Sequence, residues 1–156
     1  MKSKRLLLVA AAAALLLAAC DPGYDEEYTI DNRSSHDLVF VWSGGWRYYP
    51  SENERGFDGS YPVPAGTKAT LPFDGGIGQT GRDQIRFSAR HGLLGDSVSF
   101  VVGSDTLTFH ASDTLGADSP YNFDSERYTF DGLPGSAGGM SWASLTFRVD
   151  DAMLGR

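Results

Sequence analysis

The stretch DSVSFVVGSDTLTFHA, residues 96–111, predicts a β-hairpin and sets the expectation for the whole fold. Apolar residues alternate with polar or small ones on both sides of a Gly103-Ser104 turn: Val98, Phe100, Val102, Leu107 and Phe109. A period of two is the pattern of a strand with one buried face, and a two-residue turn containing glycine is typical of tight hairpins. The segment therefore favours an antiparallel sheet.

The same alternation recurs along most of the chain. Further strand patterns lie at residues 28–32, 37–42, 67–73, 83–91, 126–132 and 140–150. In the 83–91 segment, Ile85, Phe87 and Ala89 fall on one side of an expected strand, and after residue 27 only DDAML at 150–154 suggests a helical turn. We expect an all-β fold, an antiparallel β-sandwich of immunoglobulin-like topology, with a small β-barrel as the alternative.

Two stretches between the expected strands are long. Residues 43–66 and 111–125 are rich in Gly, Pro, Ser and Asp. Connections of this length exceed the usual ~2–6 residues and are often functional or disordered. We therefore expect two long loops.

The N-terminus has the pattern of an export signal. Lys2, Lys4 and Arg5 precede an uncharged apolar run of 14 residues, 6–19. As a helix this run would reach ~21 Å, short of a ~30 Å hydrocarbon core, which favours a signal peptide over a membrane span. Leu17-Ala18-Ala19-Cys20 then resembles the lipobox of bacterial lipoproteins, in which the cysteine carries a diacylglycerol. An ordinary secretory signal followed by an incidental cysteine is the alternative.

Cys20 is the only cysteine in the 156 residues. The residues that follow it, DPGYDEE at 21–27, are mostly acidic and would raise the pKa of a thiol, which disfavours a catalytic role. The lipobox resemblance implies a signal peptide at 1–19 and a lipid on Cys20. The acidic, unpatterned composition predicts a tether at 20–27, and the length of the remaining chain predicts one domain at 28–156.

The net charge of the chain disfavours nucleic acid as a partner. Without residues 1–19 the chain has 137 residues, with 10 Lys and Arg against 20 Asp and Glu. A chain this acidic is repelled by phosphate backbones, so nucleic acid is not an expected partner. No cysteine remains for a disulfide, and packing alone must hold the domain together.

The segments YTIDNRSSHDLVFVW, VPAGTKATL and SPYNFDSERYTF resemble, in general texture, small uncharacterised envelope lipoproteins of gut-type Gram-negative anaerobes. The resemblance implies an all-β domain and transfers no catalytic residue. Asp21 resembles an inner-membrane retention signal, whereas Asp25-Glu26-Glu27 resembles a surface-export signal. The resemblance as a whole favours the outer membrane, with the domain exposed outside.

Catalytic and metal motifs are weak. Residues 76–81, GIGQTG, match a dinucleotide-binding pattern, but the expected strand after them and the missing βαβ unit argue for a turn. The three histidines are not ligand-spaced, and no nucleophile-elbow pattern is present. We expect no enzyme, no cofactor and no metal, although Asp118, Asn122, Asp124 and Glu126 leave calcium open at 118–126.

Aromatic residues gather in the first long connection. Trp46, Tyr48, Tyr49 and Tyr61 lie there beside acidic residues and arginines. Exposed rings beside polar groups suit sugars, so these four residues are a candidate glycan site; packing against the core is the alternative.

Three Asp-Ser/Thr-aliphatic triplets resemble O-glycosylation acceptors used in such bacteria, with Ser97, Thr106 and Thr114 as the acceptor residues. Strand and turn starts explain the same triplets equally well.

Taken together, these patterns predict a lipid-anchored, non-enzymatic envelope protein. The leading hypothesis is a binding or accessory module for a glycan or a partner envelope protein. The alternatives are an assembly lipoprotein that pairs through a sheet edge and a barrel that carries an apolar ligand.

Overall fold

The computed structural model describes residues 23–49, 52–77, 80–135 and 139–156, with the backbone alone at 46–49, 52–57 and 72–77. Eight strands lie in this part of the chain: β1 (Gly23–Asn32), β2 (Leu38–Tyr49), β3 (Glu52–Val63), β4 (Lys68–Ile77), β5 (Ser97–Val102), β6 (Asp105–His110), β7 (Tyr128–Pro134) and β8 (Met140–Val149). They form two four-stranded sheets, sheet A in the order β4-β1-β8-β7 and sheet B in the order β3-β2-β5-β6.

The predicted β-sandwich is confirmed. Hairpins β2–β3, β5–β6 and β7–β8 are antiparallel, while β1 pairs in parallel with β8 at the centre of sheet A. The architecture is immunoglobulin-like, but the strand order differs from the constant-type immunoglobulin order, which puts its first two strands in one sheet. Here β1 and β2 lie in opposite sheets.

Aromatic rings fill the space between the sheets. Tyr28 stacks on Phe40 with ring centroids 6.1 Å apart, and Phe100 contacts Phe40 at 5.6 Å and Phe147 at 5.9 Å. The hydroxyls of Tyr28 and Tyr128 share a hydrogen bond of 2.7 Å, and burial raises the pKa of both tyrosines. In the described residues the sheets do not close into a barrel.

The expected strand at 83–91 is wrong. Residues Arg82–Ser88 form helix α1, and Ala89–Leu94 continue as a π-helical segment. Ile85 and Ala89, four residues apart, are fully buried, whereas Phe87 is 62% exposed. Residues four positions apart share one face of a helix, whereas a residue two positions along lies on a different face, so this pattern of burial is helical. Neither helical segment of the described chain is long and apolar enough to cross a membrane.

The expected loop at 43–66 is also wrong, because most of it forms the long β2–β3 hairpin. The register shifts between Trp42 and Trp46, where Gly44 has φ of 81°. The Asp58 carboxylate accepts a 2.9 Å hydrogen bond from the Gly44 N–H. That bond and one to Ser43 lower the pKa of Asp58. Glycines and a carboxylate thus shape a bulge inside a strand.

The acidic tether predicted at 20–27 is wrong for residues 23–27, which are the first five residues of β1. All five pair with β4, and residues 25–27 pair with β8 as well. Glu26 is fully buried, and its carboxylate accepts a hydrogen bond from the Thr80 hydroxyl. A carboxylate held inside the domain is part of the fold, so Asp25-Glu26-Glu27 is not a free flexible segment.

The expected long connection at 111–125 is confirmed as irregular chain between β6 and β7. Arg127 fastens its end: the guanidinium binds Asp118 at 2.5 Å and Asp150 at 3.0 Å. The hydrogen bond from Arg127, aided by the Met153 N–H, lowers the pKa of Asp150. The loop is therefore tied to the C-terminal segment that follows β8.

Candidate binding site

Strand β6 forms one edge of sheet B. Along this strand, residues that direct their N–H and C=O groups toward β5 alternate with residues that direct them away from β5. The Ala111 N–H donates to the Asp96 carbonyl at 2.9 Å, so that pair is a hydrogen-bonded one. Hydrogen-bonded and non-hydrogen-bonded pairs alternate along an antiparallel ladder. In the β5–β6 register, Thr106, Thr108 and His110 therefore direct their N–H and C=O groups away from β5.

Side chains close both ends of this edge. The outward N–H of His110 donates to the Asp113 carboxylate at 2.8 Å, and the Asp113 N–H donates to the His110 carbonyl at 3.0 Å. At the other end Arg156 forms an ion pair with Asp105. Between these contacts lie Thr106 and Thr108, and no other strand of the described chain pairs with β6 on that side.

The middle of strand β6 differs from the three other sheet edges of the described chain in its lack of charge. Sheet edges are commonly protected from further pairing by charged residues, prolines and bulges. Strands β3 and β4 contain both charged residues and proline, and β7 contains Asp131 and a register shift before Pro134. From 106 to 109, β6 reads TLTF. We call residues 105–110 the β6 edge.

The two faces of the β6 edge differ in polarity. Leu107 and Phe109 are half-buried against the core, whereas Thr106 and Thr108 are exposed on the outer face. The Thr108 hydroxyl shares a 2.8 Å hydrogen bond with Ser99 of β5. A strand added here would continue both rows, with apolar residues beside Leu107 and Phe109 and polar residues beside the threonines.

Comparison with protein-family models, curated proteins and solved structures gave no match. The chemistry of the described residues therefore carries the functional argument alone.

The structure does not bring the four aromatic candidates into one patch. Trp46, Tyr48 and Tyr49 lie near the end of β2, opposite residues 52–55 of β3. Tyr61 is exposed but pairs with Phe40, near the other end of the hairpin. From Phe40 to Trp46 is six residues, roughly 20 Å along a strand. Tyr61 therefore lies apart from the other three residues along the hairpin, and sugar binding by these residues stays a prediction.

Two of the glycosylation candidates lie on open surface. Thr106 and Thr114 are exposed, on β6 and on the following loop. Ser97 is half-buried on β5, between Ser43 of β2 and His110 of β6. Glycosylation of these residues stays a prediction, and the fold favours the two threonines because a modifying enzyme can reach them.

The remaining candidates are dispersed. Cys20 lies outside the described residues. Two of the acids in the 118–126 loop bind arginines, Asp118 with Arg127 and Asp124 with Arg86 at 2.9 Å. Across the described parts of the chain, no three His, Cys, Asp or Glu side chains gather as a metal site.

The strand expected after GIGQTG is helix α1 instead, which begins at Arg82. Residues 78 and 79 lie outside the described chain. Strand β4 before the helix pairs antiparallel with β1, and β5 after it belongs to the opposite sheet. This is not the parallel βαβ unit that a dinucleotide fold requires.

Sequence reasoning missed the β6 edge as a site. A signal was present: TLTF is an uncharged stretch flanked by Asp105 and by the pair His110 and Asp113. In the structure the Asp113 carboxylate accepts a hydrogen bond from the backbone N–H of His110. Which strand is an edge depends on strand order, and strand order is a tertiary property.

Proposed function

We propose that this protein is a lipid-anchored module of the bacterial cell envelope that binds an extended segment of a partner envelope protein along the β6 edge. The observation that carries the proposal is the pair of outward backbone positions at Thr106 and Thr108, within a stretch of the edge, residues 106–109, that has no charged residue and no proline. Adding a strand to an exposed sheet edge is a recurring mode of peptide recognition.

The chemistry of the edge describes the partner segment. Main-chain hydrogen bonds to Thr106 and Thr108 give affinity without regard to sequence. The half-buried Leu107 and Phe109 select apolar side chains at alternate positions of the partner. The carboxylate of Asp113, next to one end of the edge, favours a basic residue near that end of the segment, whereas Asp105 at the other end already pairs with Arg156.

The β6 edge is short, which makes membrane anchoring part of the proposed function. Two outward residues offer at most four backbone hydrogen bonds, each contributing about 0.5–1.5 kcal/mol net. A lipid on Cys20 would confine the module to the surface that holds its partner. Confinement to one membrane raises the effective concentration of the module near its partner, so a weak contact at the β6 edge is sufficient for binding.

Lipidation at Cys20 is tested by metabolic labelling with a fatty acid. We expect label in the wild type and none in Cys20→Ser, because the serine hydroxyl does not replace the thiol as the acceptor. Leu17→Ile, which keeps the cysteine, serves as the matched control and should retain label. Equal labelling of the wild type and Cys20→Ser would contradict the anchor.

The β6 edge is tested by photo-crosslinking in living cells, with a photoreactive amino acid at Thr106. We expect a discrete adduct with an envelope protein, identified by mass spectrometry, and its yield should fall about tenfold or more in Thr108→Pro. Proline removes an outward N–H and places its ring in the path of a partner strand, while the β5 ladder does not use that N–H.

Thr108→Val is the matched control, since it keeps the backbone N–H and a β-branched side chain. We expect its adduct yield to match that of Thr108, and the thermal unfolding midpoints of both variants to stay within a few degrees of the wild type. An adduct of twice the chain mass would identify the partner as a second copy. Failure to form any adduct, or an adduct that persists in Thr108→Pro, would contradict binding at the edge.

A further inference from the structure

The outward backbone groups of the β6 edge are arranged symmetrically about Leu107. Thr106 and Thr108 lie one residue to either side of it, and each directs one N–H and one C=O away from β5. The next outward residue, His110, has both of its backbone groups bound by Asp113. Rotated by half a turn about Leu107, the edge therefore presents the same donors and acceptors again.

A second copy of β6, running antiparallel to the first, matches these groups in one register. Hydrogen-bonded pairs of an antiparallel ladder join two residues that direct their backbone groups at each other. Placing Thr106 opposite Thr108 of the second copy, and Thr108 opposite Thr106, uses every outward group of both threonines. A shift of two residues would place a threonine opposite the Gly103-Ser104 turn or opposite the capped His110, so fewer bonds would form.

The side chains agree with the same register. Leu107, which is half-buried, faces Leu107 of the second copy in a non-hydrogen-bonded pair, where the side chains of two strands lie closest. On the outer face Thr106 lies beside Thr108 of the second copy, and cross-strand threonine pairs are favourable. Apolar groups thus meet apolar groups, and hydroxyls meet hydroxyls.

The charges at the two ends of the edge are complementary in this register. Asp105 of the second copy lies opposite Phe109, so no carboxylate of β6 faces a like charge. Arg156 pairs with Asp105, which places Arg156 of the second copy beside Phe109 and next to the residue that Asp113 caps. The basic residue that Asp113 favours near this end is therefore Arg156 of the second copy, and the symmetry repeats the contact at the other end.

We infer that the partner segment of the β6 edge is β6 of a second copy, and that the protein forms a two-fold symmetric dimer through a continuous sheet. The inference rests on the proposed function, because it uses the same binding edge. Two copies of the four-stranded sheet B then join into one sheet of eight strands, which is within the usual range. Two-fold dimers are the commonest oligomers, and self-pairing gives a function to an edge that lacks the usual protective charges.

The symmetry of this dimer is compatible with a lipid on each copy. The two-fold axis of an antiparallel strand pair is perpendicular to the sheet, so sheet A of both copies lies on the same side of the dimer. Strand β1 belongs to sheet A and begins at Gly23, three residues after Cys20. Three peptide links extend at most about 10 Å, so both lipids leave the dimer near sheet A and can enter one bilayer.

The experiment measures disulfide formation by Leu107→Cys in membranes that contain the lipidated full-length protein. In the inferred register the two Cα atoms at position 107 lie about 4.5 Å apart, within the ~4.4–6.8 Å that a disulfide spans. We expect a mild oxidant to convert most of this variant to a species of twice the chain mass on a non-reducing gel. The wild type, whose Cys20 thiol carries the lipid, should remain monomeric on the same gel.

Thr106→Cys is the matched control for register, since it places a thiol on the same strand one residue away. Its two Cα atoms would lie roughly 9 Å apart, beyond the ~7 Å limit of a disulfide, so we expect crosslinking about tenfold slower than in Leu107→Cys. Adding Thr108→Pro to Leu107→Cys should slow crosslinking by a similar factor, because proline removes one of the outward N–H groups. A photoreactive residue at Thr106 needs no cysteine and should give an adduct of twice the chain mass.

The outcomes separate this inference from the proposed function. A photo-adduct with a different envelope protein, together with no dimer from Leu107→Cys, would overturn the second copy and leave the edge as a binding site. Equal rates for Leu107→Cys and Thr106→Cys would indicate random collision and overturn the inferred pairing. Absence of both the dimer and any photo-adduct would overturn the proposed function together with the inference.

Discussion

Gly95→Ala is expected to destabilise the domain by about 2–5 kcal/mol. Gly95 has φ of 58°, and a Cβ there would lie 2.3 Å from the Gly45 nitrogen and 2.4 Å from the Ser43 carbonyl oxygen. Both are backbone atoms of the β2 bulge. The Asp96 N–H also donates a 2.8 Å hydrogen bond to the Ser43 carbonyl in this bulge. A rigid backbone has no rotamer that relieves the clash, so β2 and the end of the π-helical segment must separate.

Urea unfolding of the purified domain measures this loss, and Gly66→Ala is the matched control. Gly66 has φ of 69° but nothing within 4 Å of an added Cβ, so its substitution isolates the cost of the positive φ. That cost is about 1–2 kcal/mol. Equal losses for the two variants would show that the contact between Gly95 and the bulge contributes nothing.

Phe100→Ala is expected to cost about 3–5 kcal/mol of unfolding free energy. Phe100 is 1% exposed, and its ring packs against Phe40, Phe109 and Phe147 from both sheets. Truncation leaves a cavity at the centre of the sandwich, where rings on three sides cannot all move inward. Domains of this size are stable by about 5–15 kcal/mol, so the loss is a large fraction of the total.

The control for Phe100→Ala is Phe87→Ala, which makes the same chemical change on helix α1. Phe87 is 62% exposed and its ring contacts His91 at 4.6 Å. We expect a loss below about 1 kcal/mol in urea unfolding followed by circular dichroism. A loss at Phe87 as large as that at Phe100 would mean that helix α1 packs against the sheets through Phe87, contrary to the structure.

The β6 edge carries the backbone groups that a partner strand would pair with. The two exposed threonines predicted as glycosylation acceptors affect this edge differently, since sugar on Thr106 would cover the edge whereas sugar on Thr114 would lie on the neighbouring loop.

The burial of Glu26 alters how the acidic run after Cys20 can be tested. Changing Asp25, Glu26 and Glu27 together to Ala would remove a carboxylate that binds Thr80 inside the domain. Loss of surface export in that variant could then arise from a damaged fold. Asp25, which is exposed, is the position at which the export resemblance can be examined by itself.

The sequence by itself determined the strands that carry strict alternation and the sandwich they form. At Val98, Phe100 and Val102 each inward residue is apolar, and only a strand buries all three on one face. The same argument predicted Leu145, Phe147 and Val149 of β8. Alternation is a local property, because the side-chain period of two follows from the backbone of the strand alone.

Tertiary structure decided the segments whose local patterns are ambiguous. In a strand, Ile85, Phe87 and Ala89 would share one face, whereas in a helix Ile85 and Ala89 share a face and Phe87 lies on another. The sequence fits both arrangements, and only the exposure of Phe87 distinguishes the helix from the strand. Residues 23–27 became strand because distant strands pair with them: β4 pairs with all five, and β8, more than a hundred residues later, pairs with 25–27. The openness of the β6 edge likewise follows from strand order, since pairing partners distant in sequence leave no mark on the strand itself.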